Sequence, residues 1–226
     1  MSTLTFAAMD TTSNALSRTL NLLAAHPSMQ DKVRQEILDG LQKNGGKNLD
    51  YDELISLPVL DAVCRETLRL YPPLAQVQRA TREDAVLPLS TAIVGLDGRE
   101  MHEILVPKDT TIIMSIMNCN RDPALWGPDS YEWKPERWLS PLPDTIMEAP
   151  VPGIYSHLMT FLGGGRACIG FKFSQLEMKV VLAVLLSKFR FEFSDKEIVW
   201  QMGGISIPTV KGQPGIPSMP LKVVPL

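Results

Sequence analysis

One thiol, one guanidinium and a run of glycines dominate the chemistry legible in this chain. They stand together as Gly163-Gly164-Gly165-Arg166-Ala167-Cys168-Ile169-Gly170, with Phe161 just upstream. Cys168 closes a glycine-rich loop and directly precedes a strongly apolar segment that reads as a helix. A thiolate in that place suits a metal carried by a planar cofactor. The glycines let the backbone approach a flat ring. The helix start behind the sulfur favours its anionic form. Arg166 adds positive charge, which favours the thiolate and can hold an anionic group on the cofactor. Taken alone, Cys168 reads as a small buried apolar residue at a helix start, and the surrounding motif reverses that reading. A phosphate-binding loop fits poorly, because that chemistry needs lysine directly after the second glycine and Phe171 intervenes before Lys172.

Three further groups carry chemistry. Glu66 and Arg69 stand three apart, so they share a helix face. Read alone they form an exposed ion pair worth about 0–1 kcal/mol. Asp10 and Thr11 place an acid beside an alcohol on what is otherwise a polar helix face, Asp10-Thr11-Thr12-Ser13-Asn14. Pro135-Glu136-Arg137-Trp138 adds a guanidinium within a proline-bearing stretch.

In spacing, these groups resemble the signatures of the cytochromes P450. Phe161, Gly164, Arg166, Cys168 and Gly170 match F-x-x-G-x-R-x-C-x-G at every marker position. Glu66-Thr67-Leu68-Arg69 matches E-x-x-R. Pro135-Glu136-Arg137-Trp138 resembles P-E-R-F/W. Ala7-Ala8-Met9-Asp10-Thr11-Thr12 resembles [AG]-G-x-[DE]-T-[TS], with Ala8 where the family usually has glycine. The order is the family's own. The likeness is to the C-terminal half of a eukaryotic, fungal-like member, opening within the long central helix, with the N-terminal half absent.

The resemblance implies a mainly α fold with small β-sheets, an α+β arrangement in which residues 1–226 form the C-terminal portion of a single domain. It implies haem b as cofactor, with Cys168 as axial ligand of the iron. A thiolate there pushes electron density onto the metal and favours O–O cleavage. Phe161, Gly164 and Gly170 shape the cofactor loop. Arg166 and Arg79 are the implied partners of the haem propionates, because a guanidinium fork matches a carboxylate. Glu66, Arg69 and Arg137 become a buried structural network under the cofactor, where losing one member costs about 3–5 kcal/mol. Thr11 is the implied hydrogen-bonding partner of dioxygen and Asp10 the implied proton relay, with Thr12 as the weaker alternative. Leu74, Val77, Ile205 and Ile207 form an implied apolar substrate wall, and Gln76 and Gln78 are its polar exceptions. Ordinary core packing explains the same wall residues equally well.

The implied activity is insertion of one oxygen atom of O2 into a small apolar organic substrate, with electrons from NADPH through NADPH-cytochrome P450 reductase. A second reading is a truncated, non-catalytic haem binder or misfolding-prone fragment. A third is a haem-thiolate relative that uses peroxide or rearranges its substrate, against which Asp10 and Thr11 argue. Full-length relatives sit on the endoplasmic reticulum membrane by an N-terminal anchor. No basic stretch followed by an apolar core opens this chain, so no signal peptide is expected.

The elements that must position these residues follow from periodicity. Residues 4–25 read as a helix, with Leu16, Leu20 and Leu23 on one face and Pro27 as its stop. Ser28 reads as the cap of a helix over 29–43 whose face is Met29, Val33, Ile37 and Leu41, ended by Asn44-Gly45-Gly46. Asp50 opens a short helix, and Pro58 opens another that runs to Leu70 and stops at Pro72-Pro73. Residues 91–94 and 103–106 read as strands around the turn 95–98, and 110–117 as a further β run. A proline-bearing meander spans 121–153. The last helix is expected over 169–187, followed by strands at 189–193, 198–202 and 221–224.

Composition bounds the rest. With 226 residues, 45% hydrophobic and 21% charged, the chain can build a core as one large or two small domains. A formal charge of −3 gives no reason to expect nucleic acid. The 18 prolines, concentrated after residue 120, suggest long irregular connections there. Cys64, Cys119 and Cys168 are odd in number and lack C-x-x-C spacing, which argues against a disulfide framework or a zinc site. His26, His102 and His157 form no ligand pair on one helix. No window reaches the roughly 18 apolar residues of a membrane span. The longest apolar run, 180–186, is expected to be a buried helix.

Overall fold

A computed structural model describes residues 3–226, apart from the side chains of residues 3, 4 and 6. Helices and short strands alternate along it: α1 (Thr3–Ala25), α2 (Pro27–Lys43), α3 (Tyr51–Ile55), α4 (Pro58–Leu70), β1 (Gln76–Ala80), β2 (Ala85–Val94), β3 (Glu100–Val106), β4 (Thr111–Ser115), α5 (Ile116–Asn120), α6 (Pro123–Trp126), α7 (Asp144–Met147), α8 (Phe171–Leu186), β5 (Phe189–Phe193), β6 (Ile198–Gln201), β7 (Ile207–Val210) and β8 (Leu221–Pro225). Single 3₁₀ turns lie at Pro135–Leu139 and Gly164–Arg166. The chain divides into two units, residues 1–75 with 116–226, and residues 76–115.

The larger unit is built on α1, α2, α4 and α8, and its core holds Leu23, Val33, Ile37, Leu60, Val63, Leu68, Met178, Leu182 and Leu186. α1 ends at Ala25 ahead of Pro27, as expected, and Pro27 is also the first residue of α2, where its fixed φ and missing N–H do no harm. Ser28 therefore lies inside α2 rather than capping it, and His26 holds the cap position without a side-chain bond. Gly45 and Gly46 end α2 in left-handed conformations, with Gly46 N–H bonding Leu41 C=O at 2.8 Å. Asp50 and Glu53 form a reciprocal capping box on α3.

α4 is capped from outside. Glu36 of α2 accepts from Val59 N–H and Leu60 N–H, both at 2.8 Å, so a carboxylate sits on the positive end of α4. At the other end Pro72 and Pro73 lack the N–H groups that Leu68 C=O and Arg69 C=O would otherwise receive. The fold must supply donors from elsewhere, and this shapes the site described below.

Two polar clamps tie the helices together. Buried Gln30 donates to Phe191 C=O at 2.9 Å and accepts from Phe191 N–H at 2.8 Å, so its amide pairs with β5 as a strand would. Lys179 of α8, 4% exposed, reaches Asp61 of α4 at 2.7 Å and the Ile55 carbonyl at 3.2 Å. α8 starts two residues later than its apolar pattern suggests, at Phe171. The run 180–186 is only half buried: Leu182 and Leu186 are in the core, while Val180 and Val184 are exposed. The sheets of this unit are antiparallel pairs, β5 with β8 and β6 with β7. β7 was not legible, because Pro208 and the flanking Gly203-Gly204 mask its alternation.

The smaller unit consists of two antiparallel pairs, β1 with β4 and β2 with β3. The turn after β2 closes through Gly95 N–H to Arg99 C=O at 2.8 Å, as expected, but both strands are longer than their β-branched runs. The register slips between Pro88 and Ile93, where proline removes a ladder donor. β4 ends at Ser115, and Ile116 and Met117 belong to α5 instead of continuing the strand.

Candidate functional site

Cys168 is exposed, whereas Cys64 is buried and Cys119 half-buried. Burial pushes the Cys64 thiol up to about 12, with nearby Lys179 opposing the rise. Burial also raises Cys119. Cys168 is thus the thiol open to a ligand. Its N–H donates to Phe161 C=O at 2.8 Å, which closes the glycine loop into a tight lobe. Gly170 caps α8, which begins at Phe171, so the sulfur lies within a turn of the helix N-terminus.

The glycines play different parts. A Cβ on Gly163 would meet the Pro152 carbonyl oxygen at 1.8 Å, so glycine there is demanded by packing. Gly164 has φ +64°, which disfavours any side chain. Gly165 has neither constraint, and nothing lies within 4 Å of a Cβ at either Gly164 or Gly165. This bare backbone is a cradle open to a flat group. Arg166 is exposed and has no hydrogen bond or ion pair among the described residues. The donor set, one open thiol beside one unpaired guanidinium, fits an iron porphyrin. Such a metal takes its in-plane ligands from the ring and needs one from the protein, and its propionates need cations. No three His, Cys, Asp or Glu side chains converge as a metal site among the described residues.

Phe161 packs into the core rather than facing solvent. It lies edge-on to Tyr155, with ring centroids 5.4 Å apart, and 6.1 Å from Phe171. Upstream, Ser156 and His157 both have positive φ, and Ile154 N–H bonds Leu162 C=O at 3.0 Å. The segment before the cysteine is therefore pinned at several points.

Glu66 and Arg69 are fully buried and Arg137 is 9% exposed. Arg69 grips Glu66 in bidentate fashion, Nε to Oε2 at 2.9 Å and Nη2 to Oε1 at 2.8 Å. Its other donors reach the carbonyls of Asn120 at 3.1 Å, Ser130 at 2.7 Å and Glu132 at 3.2 Å. All five guanidinium N–H groups are used. Glu66 also accepts from Arg137 Nε at 3.3 Å, Lys134 N–H at 3.0 Å and Trp138 Nε1 at 2.9 Å. Arg137 continues to Asp129 at 3.2 Å. Hydrogen bonds from Lys134 and then Arg137 hold the Asp129 carboxyl below the usual range, against the effect of its desolvation. The exposed-pair reading of Glu66 and Arg69 fails, because proximity in sequence says nothing about depth. Asp129 and Asn120 were missed, since neither lies near Glu66 in sequence nor in any of the motifs; Trp138 was read as part of a motif, without its bond to Glu66.

On α1, Thr11 Oγ1 donates to Ala7 C=O at 2.8 Å, and Thr12 is buried. Asp10, Ser13, Asn14 and Ser17 form a polar stripe along a cleft of about 360 Å³. Its far wall includes Ile205 and Ile207, so the acid and two of the apolar wall residues share one cleft. Leu74 is 37% exposed in the larger unit. Val77 and Arg79 lie on β1 of the smaller unit, opposite Met114 and Ile112, and Arg79 Nη1 donates to Gln78 C=O at 2.7 Å. Gln76 and Gln78 are on the same strand. No described helix is long and apolar enough to cross a membrane.

Comparison with known proteins agrees with this geometry. The sequence pattern described as Cytochrome P450 matches residues 1–214. "Cytochrome P450 monooxygenase 91" of Postia placenta is 66% identical over 223 residues, covering 99% of this chain and 41% of that protein. "Ganoderic acid synthetase CYP5150L8" of Ganoderma lucidum is 54% identical over 224 residues, again 99% of this chain and 41% of that protein. A crystal structure of a cytochrome P450, CYP102L1, superposes with a TM-score of 0.75 at 25% identity, covering 99% of this chain and 44% of that one. The chain spans about two fifths of the length of these relatives, and its helices with small sheets match the C-terminal part of that fold. Members are haem-thiolate proteins with haem b. The chain belongs to the cytochrome P450 family.

Proposed function

We propose that this chain carries the cofactor-holding part of a haem-thiolate monooxygenase. The observation that carries this reading is the exposed Cys168 thiol on a bare glycine backbone at the head of α8. Cys168 would supply the sulfur that holds the iron. Arg166 would hold a propionate. When bound, haem supplies the oxygen chemistry that a polypeptide lacks. The chain's own residues then have defined tasks. The Cys168 N–H bond to Phe161 fixes the sulfur's backbone, and the start of α8 stabilises its negative charge. The Glu66–Arg69–Arg137 cluster keeps the loop from shifting when the sulfur is pulled. Asp10 Oδ would accept hydrogen bonds from water in the cleft that it lines, and Thr11 Oγ1, which donates to Ala7 C=O, keeps lone pairs able to accept a hydrogen bond.

The substrate would be a small apolar organic molecule bordered by Ile205 and Ile207 in the cleft that Asp10 lines. Electrons would come from NADPH through a cytochrome P450 reductase, and a full-length protein of this kind would work at the endoplasmic reticulum membrane. Residues 1–226 would be one portion of a single domain, with the two units described above as its parts. The test is spectroscopic. Haem-loaded, reduced chain under carbon monoxide should show the red-shifted Soret band of thiolate ligation, and Cys168→Ala should abolish it. A band that survives Cys168→Ala overturns the assignment. For the proton path, Thr11→Ala should leave that band intact while uncoupling electron consumption from product.

A further inference from the structure

We propose that Asn120 and Thr160 are positioning residues that couple the buried Glu66–Arg69 cluster to the Cys168 loop. The argument starts at Pro72. Because that residue has no N–H, Leu68 C=O near the end of α4 is left without its helical partner. Thr160 Oγ1 donates to it at 2.8 Å. With its proton committed, the hydroxyl has only lone pairs left to offer. Asn120 Nδ2 donates to it at 2.8 Å. The other end of the same amide, Asn120 Oδ1, accepts from Met159 N–H at 2.8 Å. Asn120 is 1% exposed, and its own backbone carbonyl takes a bond from Arg69 Nη1.

One residue therefore touches the arginine with its backbone and two successive residues of the pre-cysteine segment with its side chain. Phe161, next in sequence, accepts the Cys168 N–H. The hydrogen-bonded path runs Glu66, Arg69, Asn120, Met159 and Thr160, Phe161, Cys168. The amide is specified at both ends. Met159 N–H requires an acceptor and the committed Thr160 hydroxyl requires a donor, and the Asn120 amide supplies both. Aspartate would pull the Thr160 proton off Leu68 C=O and strand that carbonyl. Leucine would leave Met159 N–H unpaired. The catalytic relevance of this coupling rests on the reading of Cys168 as the haem ligand. The coupling itself does not.

The experiment separates the two. Amide hydrogen exchange is measured on the chain without haem for wild type, Asn120→Ala, Thr160→Val and Thr160→Ser. Exchange at Met159 and Cys168 should accelerate about ten- to hundredfold in Asn120→Ala and Thr160→Val, the range expected when a buried group loses its partner. Exchange at Phe191, whose N–H bonds Gln30 on the far clamp, should not change. Thr160→Ser keeps the hydroxyl and should restore protection. Unchanged exchange at Cys168, or equal acceleration at Phe191, overturns the coupling. In the haem-loaded chain, Asn120→Ala and Thr160→Val should lower the fraction of absorbance in the thiolate band, with Thr160→Ser recovering it. A wild-type chain with no such band would refute the cofactor reading of Cys168, while the exchange data would still decide the coupling.

Discussion

Arg69→Met should be among the most destabilising single substitutions in this chain. Arg69 makes five hydrogen bonds with no exposure to water. Methionine keeps much of the stem volume and removes every donor. Breaking a buried ion pair by deleting one partner costs about 3–5 kcal/mol. The carbonyls of Asn120, Ser130 and Glu132 also lose a donor, at about 1–3 kcal/mol each where water does not replace it. The lower bounds together reach about 6 kcal/mol, comparable to the whole stability of a typical domain, roughly 5–15 kcal/mol. Arg69→Lys is the graded version. An ammonium has three donors, so at least two of the five acceptor contacts go unmade, and the loss should be at least about 2 kcal/mol. Urea unfolding followed by tryptophan fluorescence reads both, because Trp126 lies 4.8 Å from the Arg69 guanidinium and Trp138 bonds Glu66 directly. Far-UV circular dichroism supplies the second probe that a two-state analysis needs. Glu66→Gln combined with Arg69→Met should cost far less than the two singles added, because each single strands what the other would remove. Arg69→Met within about 1 kcal/mol of wild type would refute the account, since this is the scale of an exposed pair.

Other outcomes follow from the same contacts. Gly163→Ala should destabilise the loop strongly, since its Cβ would overlap the Pro152 carbonyl, whereas Gly165→Ala should change stability by no more than about 0.5 kcal/mol yet weaken haem binding in a titration. Native-state maleimide labelling followed by mass spectrometry should modify Cys168 first and Cys64 last, because Cys64 is buried and its thiol is pushed up to about 12. Asp129 is held below the usual carboxylate range, so its contribution to stability is present above the unfolded value of about 3.9 and is lost as pH falls through the lower folded value. Arg137→Gln should therefore shrink the stability gained between strongly acidic pH and pH ~5, measured by urea titrations across that window. Glu36→Ala should cost about 1 kcal/mol in the same assay, through loss of the cap that it places on α4.

Much of the fold was legible locally. α4 runs from Pro58 to Leu70 as its prolines dictate, α3 follows the Asp50 cap, and β5 matches its apolar run. Errors came where a residue had two meanings. Proline at 27 both follows the end of α1 and begins α2, and because Pro is tolerated at a first helical position the cap falls on His26 rather than Ser28. The run over 180–186 is continuous in sequence, yet a helix turns its side chains around the axis, so Leu182 and Leu186 enter the core while Val180 and Val184 face away from it.

The sequence by itself determined the types and order of the chemical groups: a thiol on a glycine loop before α8, an acid beside an alcohol on α1, and a carboxylate–guanidinium pair on α4. These follow from neighbours along the chain, where bonding geometry fixes spacing. Tertiary structure alone decided which thiol is open and which charges are buried. It also brought Asp10 to the cleft wall of Ile205 and Ile207, and Asn120 between Arg69 and the cysteine segment. Burial and cross-chain hydrogen bonds depend on what packs over a residue, and residues tens of positions apart leave no periodic trace of that meeting.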